Sequence, residues 1–98
     1  MIRSFADETT ADIAAGRNTK AARRIASKLW PRVQEKLKIL DAAPSIEDLA
    51  KLPGNRYERL KRQPGRAAIR VNDQYRVTFR WEHGDAYEVK VEDYHDYG

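Results

Sequence analysis

Arginines alternate with apolar residues in two neighbouring segments of the second half of the chain. In segment 75–81 the apolar residues occupy the odd positions, and Arg76 and Arg80 lie between them. Because the side chains of a β-strand point alternately to its two faces, both arginines belong to one face of a predicted strand. Arg70 lies on the same face of the predicted strand 67–72, and a hairpin between the strands brings it beside Arg76. Adjacent cations repel each other unless an anion binds, so this face predicts a site for phosphate groups.

Three further polar residues extend this basic face. Lys61 ends a predicted strand, Arg66 lies in the turn that follows, and Asn72 ends the strand that carries Arg70. All three are candidate contacts for a phosphate backbone. A second interpretation stays open, because charged residues are common on the outer face of antiparallel sheets. In that interpretation the arginines only keep the face solvated, and they pair with the acidic residues Glu88, Glu92 or Asp93.

The sequence Asp93-Tyr94-His95 supplies groups for proton transfer and for stacking. A histidine titrates near neutral pH, so His95 can exchange a proton with a phosphate ester that the arginines hold beside it. The ring of Tyr94 offers a stacking surface for a nucleobase, and Asp93 lies next to it. The alternative interpretation is that these residues form a frayed polar tail.

The first half of the sequence predicts the helices that support this face. Asp7 is a helix-capping residue type and Gly16 is a stop signal, so a short helix is predicted between them. A second helix is predicted to begin near Ser27, and a capping pattern at Ser45 predicts one further helical turn. Lys36 belongs to the polar side of the second helix. The residues that recur at helical spacing and predict its buried face are Trp30, Val33, Leu37 and Leu40.

After residue 56 the apolar period changes to two, which is typical of strands. The predicted strands are Ile2–Phe5, 57–61, 67–72, 75–81 and 86–95. The sequence therefore predicts an α+β fold, with two antiparallel N-terminal helices packed on one face of a curved, four- to five-stranded, mainly antiparallel sheet.

The composition limits the classes of protein that the chain can represent. Its 98 residues fit a single domain spanning residues 1–98. The chain has no cysteine and only two histidines, so we expect neither a disulfide nor a metal site, and no cofactor. The first ten residues lack the apolar run of an export signal, and no segment is apolar enough to span a bilayer, so we expect a cytoplasmic protein without membrane contact. A net charge of +4 suits a polyanionic partner.

Seven sequence blocks, in order along nearly the whole chain, resemble the HigB ("plasmid maintenance killer") branch of the RelE/ParE toxin superfamily. The blocks are Met1-Ile-Arg-Ser-Phe5, Lys36–Ala43, Pro53-Gly-Asn-Arg56, Leu60-Lys61, Ile69–Arg76, Thr78-Phe-Arg-Trp81 and Asp93-Tyr-His95. The resemblance implies a RelE-like fold and a toxin of a type II toxin–antitoxin system. It also implies a ribosome-dependent endoribonuclease that cleaves translated messenger RNA in the A site, by attack of a ribose 2′-hydroxyl on the scissile phosphate.

The resemblance also implies roles for individual residues and partners. Arg70 and Arg76 would stabilise the negative charge that develops on the phosphate. Lys61 would add positive charge or exchange a proton, and His95 would transfer a proton. Asp93 and Tyr94 would lie beside His95 and contact RNA, and the basic face predicted from the residue pattern adds Arg66, Asn72 and Arg80 as further RNA contacts. The implied partners are the 70S ribosome, messenger RNA and a HigA-like helix-turn-helix antitoxin, with operator DNA bound only through that antitoxin.

Two other functions stay open at this point. A ParE-like inhibitor of DNA gyrase would use the same scaffold without cutting RNA, since fold does not fix function. A non-catalytic RNA-binding module would use the basic face alone and would not need His95. The departures from the family pattern are Arg62 after Leu60-Lys61, where the family commonly has glycine, and the residues Asp96-Tyr97-Gly98 after His95.

Overall fold

Four strands form one antiparallel sheet in the order β1-β2-β3-β4. Their bounds are β1 Glu58–Arg59, β2 Arg66–Arg70, β3 Tyr75–Glu82 and β4 Asp85–Asp93. The computed structural model describes the backbone of residues 1–97 and the side chains of residues 1–95, so the predicted tail at 96–98 falls largely outside the described part. The α+β class and the antiparallel sheet are confirmed.

Four α-helices accompany the sheet, namely α1 Glu8–Ala14, α2 Trp30–Ala42, α3 Ile46–Ala50 and α4 Tyr94–Tyr97. The predicted caps are confirmed, because Asp7 accepts a hydrogen bond from the Thr10 N–H at 2.9 Å and Ser45 accepts one from the Asp48 N–H at 3.3 Å. A helix was predicted to begin near Ser27; a 3₁₀ turn occupies Ser27–Leu29 and leads directly into α2, which begins at Trp30. Within residues 1–97, no helix has the length and apolar character that a membrane span requires.

Buried side chains of the helices and strands form one hydrophobic cluster. Ile13 of α1, Leu40 of α2 and Phe79 of β3 are all fully buried in it. The predicted stripe of α2 belongs to this cluster, with Trp30 half-buried against it. The antiparallel direction of the two N-terminal helices stays a prediction.

One residue of α2 contradicts its predicted environment. The helical pattern predicts Lys36 on the polar side of the helix, but the residue is only 5% exposed. Its ammonium group donates to Asn55 Oδ1 at 2.8 Å and to the Gly54 carbonyl at 3.4 Å. The lysine stem therefore fills part of the interior while its charged end ties α2 to the turn that precedes β1.

Several predicted strands differ from the observed ones. The segment Ile2–Phe5 makes two isolated parallel bridges, to Ala86 and Val89, and is not a full fifth strand. The predicted strand 57–61 is reduced to two residues, and Arg66 begins β2 where a turn was predicted. The edge strand β1 is therefore short, whereas β2 and β3 pair in an unbroken antiparallel register.

The end of β4 was also predicted wrongly. The alternation of residue types continues to residue 95, yet the strand ends at Asp93. There the Asp93 side chain accepts a hydrogen bond from the His95 N–H at 2.9 Å, which starts the turn α4 in the manner of a helix cap. Earlier in β4, Glu88 has a φ of 51°, and the pairing with β3 shifts register between Thr78 and Arg80.

Candidate active site

The hairpin of β2 and β3 places Arg70 directly opposite Arg76, as the sequence predicted. Arg70 Nη2 lies 2.6 Å from Asp73 Oδ1, and the Asp73 side chain is fully exposed. The hydrogen bond from Arg70, and then the charge of Arg70, lower the pKa of Asp73. Because this carboxylate is open to water, it screens Arg70 only weakly and can be displaced by a stronger anion.

Arg76 is held by neutral and aromatic groups. Its guanidinium donates to the carbonyl oxygens of Asn72 and, at 3.1 Å, of Tyr75. Its Cζ lies 4.4 Å from the centre of the Tyr94 ring, in a cation–π contact. Among the side chains of residues 1–95, no carboxylate forms an ion pair with Arg76. Its positive charge is therefore oriented but not cancelled.

Hydrogen bonds from the β2–β3 turn hold the start of α4 beside these arginines. The Tyr94 N–H donates to the Gln74 carbonyl at 2.6 Å. The Gln74 side-chain amide donates to Asp93 Oδ2 at 3.0 Å. This hydrogen bond, followed by the one from the His95 N–H, lowers the pKa of Asp93. The tail is therefore anchored at residues 93 and 94, which argues against the frayed-tail interpretation there.

The His95 ring projects into solvent from this anchored turn, with its side chain 79% exposed. Its Nδ1 lies 3.1 Å from Asp93 Oδ1. An ionised carboxylate only accepts hydrogen bonds, so the hydrogen of this contact sits on Nδ1. That leaves Nε2 as the atom that can exchange a proton with a ligand on the open side.

Lys61 lies beside Tyr94 in the structure. It lines a shallow concavity of about 230 Å³ together with Tyr94 and Glu58. Both Lys61 and Tyr94 have exposed side chains, so a ligand in this concavity can contact both, and Arg76 lies against the Tyr94 ring. The structure thus brings together Lys61, Arg70, Arg76, Asp93, Tyr94 and His95.

Asn72 takes part in this site through its position in the turn. Its side-chain oxygen accepts from the N–H groups of Gln74 at 2.9 Å and of Tyr75 at 2.7 Å. Its carbonyl accepts from Arg76. These hydrogen bonds fix the turn between Arg70 and Arg76, so Asn72 positions the two arginines.

Arg66 and Arg80 lie elsewhere. They face each other across β2 and β3, four residues and therefore about 13 Å along the strands from Arg70 and Arg76. Arg66 donates to Thr78 Oγ1 and to the Glu88 carbonyl, both at 3.0 Å. Arg80 pairs with Glu82, and with Glu88 at 3.5 Å. At this end of the sheet the interpretation of arginines paired with acidic neighbours describes what is observed.

Two residues at the site were not predicted from the sequence. Gln74 connects the β2–β3 turn to Asp93, and Glu58 lines the concavity beside Lys61. The block Ile69–Arg76 contained Gln74, but a glutamine in a turn gives no signal of its distant partner. Glu58 lay in a predicted strand and carried no pattern of its own.

The arrangement suits a phosphodiester. Cations can neutralise a phosphate, an aromatic ring can stack on a base, and a histidine nitrogen can transfer a proton. Among the described residues, no group of three or more His, Asp or Glu side chains is placed to hold a metal ion. The cations and the histidine that are present suit acid–base and charge-stabilised chemistry.

Known proteins resemble this chain both as a family and as an individual relative. A family model described as the RelE-like toxin of type II toxin-antitoxin system HigB matches residues 4–97. The chain is also similar to Toxin HigB-1 of Vibrio cholerae serotype O1, with 46% identity over 68 residues. That alignment covers 68% of this chain and 72% of the relative.

Proposed function

Because the chain belongs to the HigB family of RelE-like toxins of type II toxin–antitoxin systems, we propose that it is a ribosome-dependent endoribonuclease. Its substrate is messenger RNA that is being translated, cut in the ribosomal A site. The observation that carries this proposal is the cluster at the end of the β2–β3 hairpin, where Arg70 faces Arg76 and Arg76 stacks on Tyr94 beside an exposed His95.

The reaction is an attack of the ribose 2′-hydroxyl on the adjacent phosphorus. The new bond joins the 2′-oxygen to phosphorus, and the bond from phosphorus to the 5′-oxygen breaks. The enzyme then has to align the attack, stabilise the extra negative charge on the phosphate and supply a proton to the 5′-oxygen.

The residues of the cluster fit these three tasks. Arg70 and Arg76 stabilise the charge that develops on the phosphate oxygens. His95 donates a proton from Nε2 to the leaving 5′-oxygen while Asp93 orients the ring. Lys61 in its neutral form takes up the 2′-hydroxyl proton, and the resulting ammonium adds positive charge beside the phosphate.

The remaining predicted contacts serve to bind RNA. Tyr94 stacks on a base next to the scissile bond, and its ring is held for this by Arg76. Asn72 supports the turn. Arg66 and Arg80 contribute a positive surface further along the sheet, although Glu88 offsets part of their charge. Arg66 and Arg80 therefore make a small contribution to the affinity for RNA.

A toxin of this class has an antitoxin partner. We propose that this antitoxin is a HigA-like helix-turn-helix protein, and that the toxin reaches operator DNA only through it. The site of action is the cytoplasm, where ribosomes translate. An adjacent small reading frame that encodes a helix-turn-helix protein is the expected genomic context.

A translation reaction with a defined messenger RNA tests this function directly. We expect cuts that map within the translated region and that disappear when ribosomes are left out. An intact message together with gyrase-dependent DNA breaks would instead identify a gyrase inhibitor of the ParE type. Ribosome binding without any cut would identify a non-catalytic RNA-binding module.

A further inference from the structure

The strand pairing brings one further arginine, Arg56, to the hairpin end of the sheet. In the pairing of β1 with β2, Glu58 lies opposite Ala68. Continued by two residues towards the N-terminus, this register predicts position 56 alongside Arg70, whose other neighbour is Arg76. Neighbouring strand positions are about 5 Å apart. The topology therefore points to a row of three arginines across this end of the sheet.

The turn before Arg56 is fixed beside β2. The 3₁₀ turn Pro53–Asn55 packs against this strand, and Lys36 Nζ of α2 donates to Asn55 Oδ1 at 2.8 Å. One helical turn earlier, Arg32 Nε donates to the Val71 carbonyl at 3.2 Å. The two donors are four residues apart, so they lie about 6 Å apart along one face of α2. This helix therefore holds the turn and the end of β2 side by side.

The charge of Arg56 reaches Asp73, the exposed carboxylate that contacts Arg70 at 2.6 Å. The hydrogen bond and the charge of Arg70 lower the pKa of Asp73 most. The charges of Arg56 and then Arg76 lower it further. Arg56 is itself exposed, and among the side chains of residues 1–95 no carboxylate forms an ion pair with it. Its charge is therefore available to an external anion near Asp73.

The backbone of Arg56 has a conformation that arginine rarely adopts. Its φ of 41° and ψ of 50° lie in the left-handed region, which is disfavoured for residues with a β-carbon. The preceding residue is firmly held, because the buried Asn55 also donates to the Leu49 carbonyl at 3.1 Å. A disfavoured conformation that the surrounding structure maintains is typical of binding and catalytic sites.

The spacing of the three arginines suits successive phosphates of one RNA strand. Arg76 contacts the Tyr94 ring next to His95, so the phosphate that is cut belongs at this end of the row. Arg56 is two strand positions away, which is about 10 Å. A guanidinium binds a phosphate through two parallel N–H···O bonds and so serves one phosphate at a time. Arg56 is therefore placed for the next phosphate along the strand.

We propose that Arg56 binds the phosphate adjacent to the scissile phosphate of the messenger RNA and so fixes the position of the strand in the site. This inference rests on the proposed nuclease function. In the absence of RNA, Asp73 acts as an internal counterion, which the incoming phosphate displaces. Arg56 is a binding residue that sets affinity, whereas Arg76 and His95 act on the reacting atoms.

The test compares single variants of exposed cations. Arg56→Gln removes the charge, and Arg56→Lys keeps it. Lys38→Gln is the matched control for the loss of one charge, because Lys38 is exposed on α2 and lies two residues from Lys36, on the opposite side of the helix. Equal melting temperatures of the three variants and the wild type verify that the fold is unchanged.

Single-turnover cleavage on programmed ribosomes is measured at increasing toxin concentration, between about 50 and 200 mM salt. For Arg56→Gln we expect the half-maximal rate at about tenfold more toxin. The saturating rate stays within about threefold, because a contact to an unreactive phosphate stabilises ground state and transition state alike. A plot of log affinity against log salt becomes shallower by about 0.7, the value for one phosphate of a single strand. Arg56→Lys and Lys38→Gln stay within about threefold of the wild type in both quantities.

Messages with one neutral methylphosphonate identify the phosphate that Arg56 contacts. The replacement is placed on the 5′ or the 3′ side of the scissile phosphate. On one side it should weaken the wild type by about tenfold and leave Arg56→Gln nearly unaffected, because the two changes remove the same contact. Binding is measured with a 2′-deoxyribose at the cleavage site, so that the result does not depend on cutting.

Other outcomes overturn the proposal. If both replacements weaken the wild type and Arg56→Gln equally, Arg56 contacts neither phosphate. A saturating rate that falls as far as in Arg76→Ala would place Arg56 among the catalytic residues, and a loss shared by Lys38→Gln would reduce the effect to net charge. A loss that Arg56→Lys does not restore would mean that the positive charge is not what matters. If the predicted loss of binding occurs but the wild type cuts no message, the Arg56 contact stands and the nuclease function is the part that fails.

Discussion

The two ends of the β2–β3 ladder each carry a pair of facing arginines, but the pairs have different neighbours. Arg66 and Arg80 share Glu88, and Arg80 has Glu82 as a further partner. At the hairpin end, the carboxylate that pairs with Arg70 among the side chains of residues 1–95 is the fully exposed Asp73, and Arg76 contacts two carbonyl groups and the Tyr94 ring. The same residue type on the same face of one hairpin is therefore neutralised at one end and left electrostatically available at the other.

The ability of a basic face to bind a phosphate depends on the partners of its cations as well as on their number. An arginine that already pairs with a carboxylate gives up that pair when it binds a phosphate, which reduces its net gain. An arginine oriented by carbonyl groups and an aromatic ring keeps its charge for an incoming anion. The cluster at the hairpin end is accordingly the place where catalysis is expected.

The largest effect is expected for Arg76→Ala. Loss of a charge that stabilises the transition state slows single-turnover cleavage on programmed ribosomes by about 10³-fold. The fold stays intact, because Arg76 is on the polar side of β3 and fills no part of the core. Arg80→Ala is the matched control on the same strand, and its rate stays within about threefold of the wild type. The difference between the two ends of the hairpin would be contradicted if the Arg76→Ala protein unfolds. It would also be contradicted if cleavage slows more in Arg80→Ala than in Arg76→Ala.

The next effect is expected for His95→Ala, which removes the proposed proton donor. Its cleavage slows by about 10²-fold, at the lower end of the range for one general acid. Ribosome-dependent cutting persists at this lower rate, because Arg70 and Arg76 still stabilise the charge. The control is His83→Ala, since His83 lies in the β3–β4 turn with its side chain 91% exposed. An unchanged rate in His95→Ala, measured in the same single-turnover assay, would remove this histidine from the mechanism.

Arg66→Ala should lower the stability of the fold and leave the cleavage rate nearly unchanged, which is the opposite of the result expected for Arg76→Ala. The Arg66 side chain is 15% exposed and donates to Thr78 Oγ1 and to the Glu88 carbonyl. Its loss lowers the free energy of unfolding by about 1–2 kcal/mol, measured by urea denaturation. The cleavage rate stays within about threefold. A severe loss of rate without a loss of stability would mean that Arg66 belongs to the catalytic group.

The smallest effect is expected for Gln74→Ala, and it appears as a shift in pKa. The hydrogen bond from Gln74 is the main cause of the lowered pKa of Asp93, so the pKa of this carboxyl rises towards its ordinary value in the variant. A lowered pKa stabilises the folded state above the unfolded pKa, and this contribution is lost as the pH falls through the folded pKa. Gln74→Ala therefore makes stability less sensitive to acid, while Asp93 stays ionised at neutral pH.

Carboxyl chemical shifts followed by NMR during an acid titration measure the pKa of Asp93 in the wild type and in Gln74→Ala. Gln63→Ala serves as a control that changes the same residue type outside the β2–β3 turn. A pKa of Asp93 that is identical in all three proteins would show that Gln74 does not hold this carboxylate.

Local patterns were enough to predict the part of the fold that places Arg70 opposite Arg76. Alternation assigned the faces of β2 and β3, and the short polar turn between them set the register. The caps at Asp7 and Ser45 were equally local, because each side chain bonds a backbone N–H three residues later.

Features that depend on distant partners were not predictable in this way. Lys36 looks like any polar residue of an amphipathic helix, and its burial depends on Asn55, which is 19 positions away. The end of β4 depends on Asp93 capping the following turn, while the residue alternation itself continues. The neutralisation of Arg66 depends on the bulge in β4 and the positive φ of Glu88, which the sequence around it does not reveal.

The most direct test of the central claim uses a message with one altered ribose. Ribosomes are programmed with two otherwise identical messages, one of which carries a 2′-deoxyribose on the 5′ side of the mapped cleavage site. If the hairpin-end cluster positions a ribose 2′-hydroxyl against a phosphate, the wild-type toxin cuts the unmodified message and leaves a 2′,3′-cyclic phosphate on the new 3′ end. The deoxy message stays intact at that position. Equal cutting of the two messages at the same bond would contradict the account.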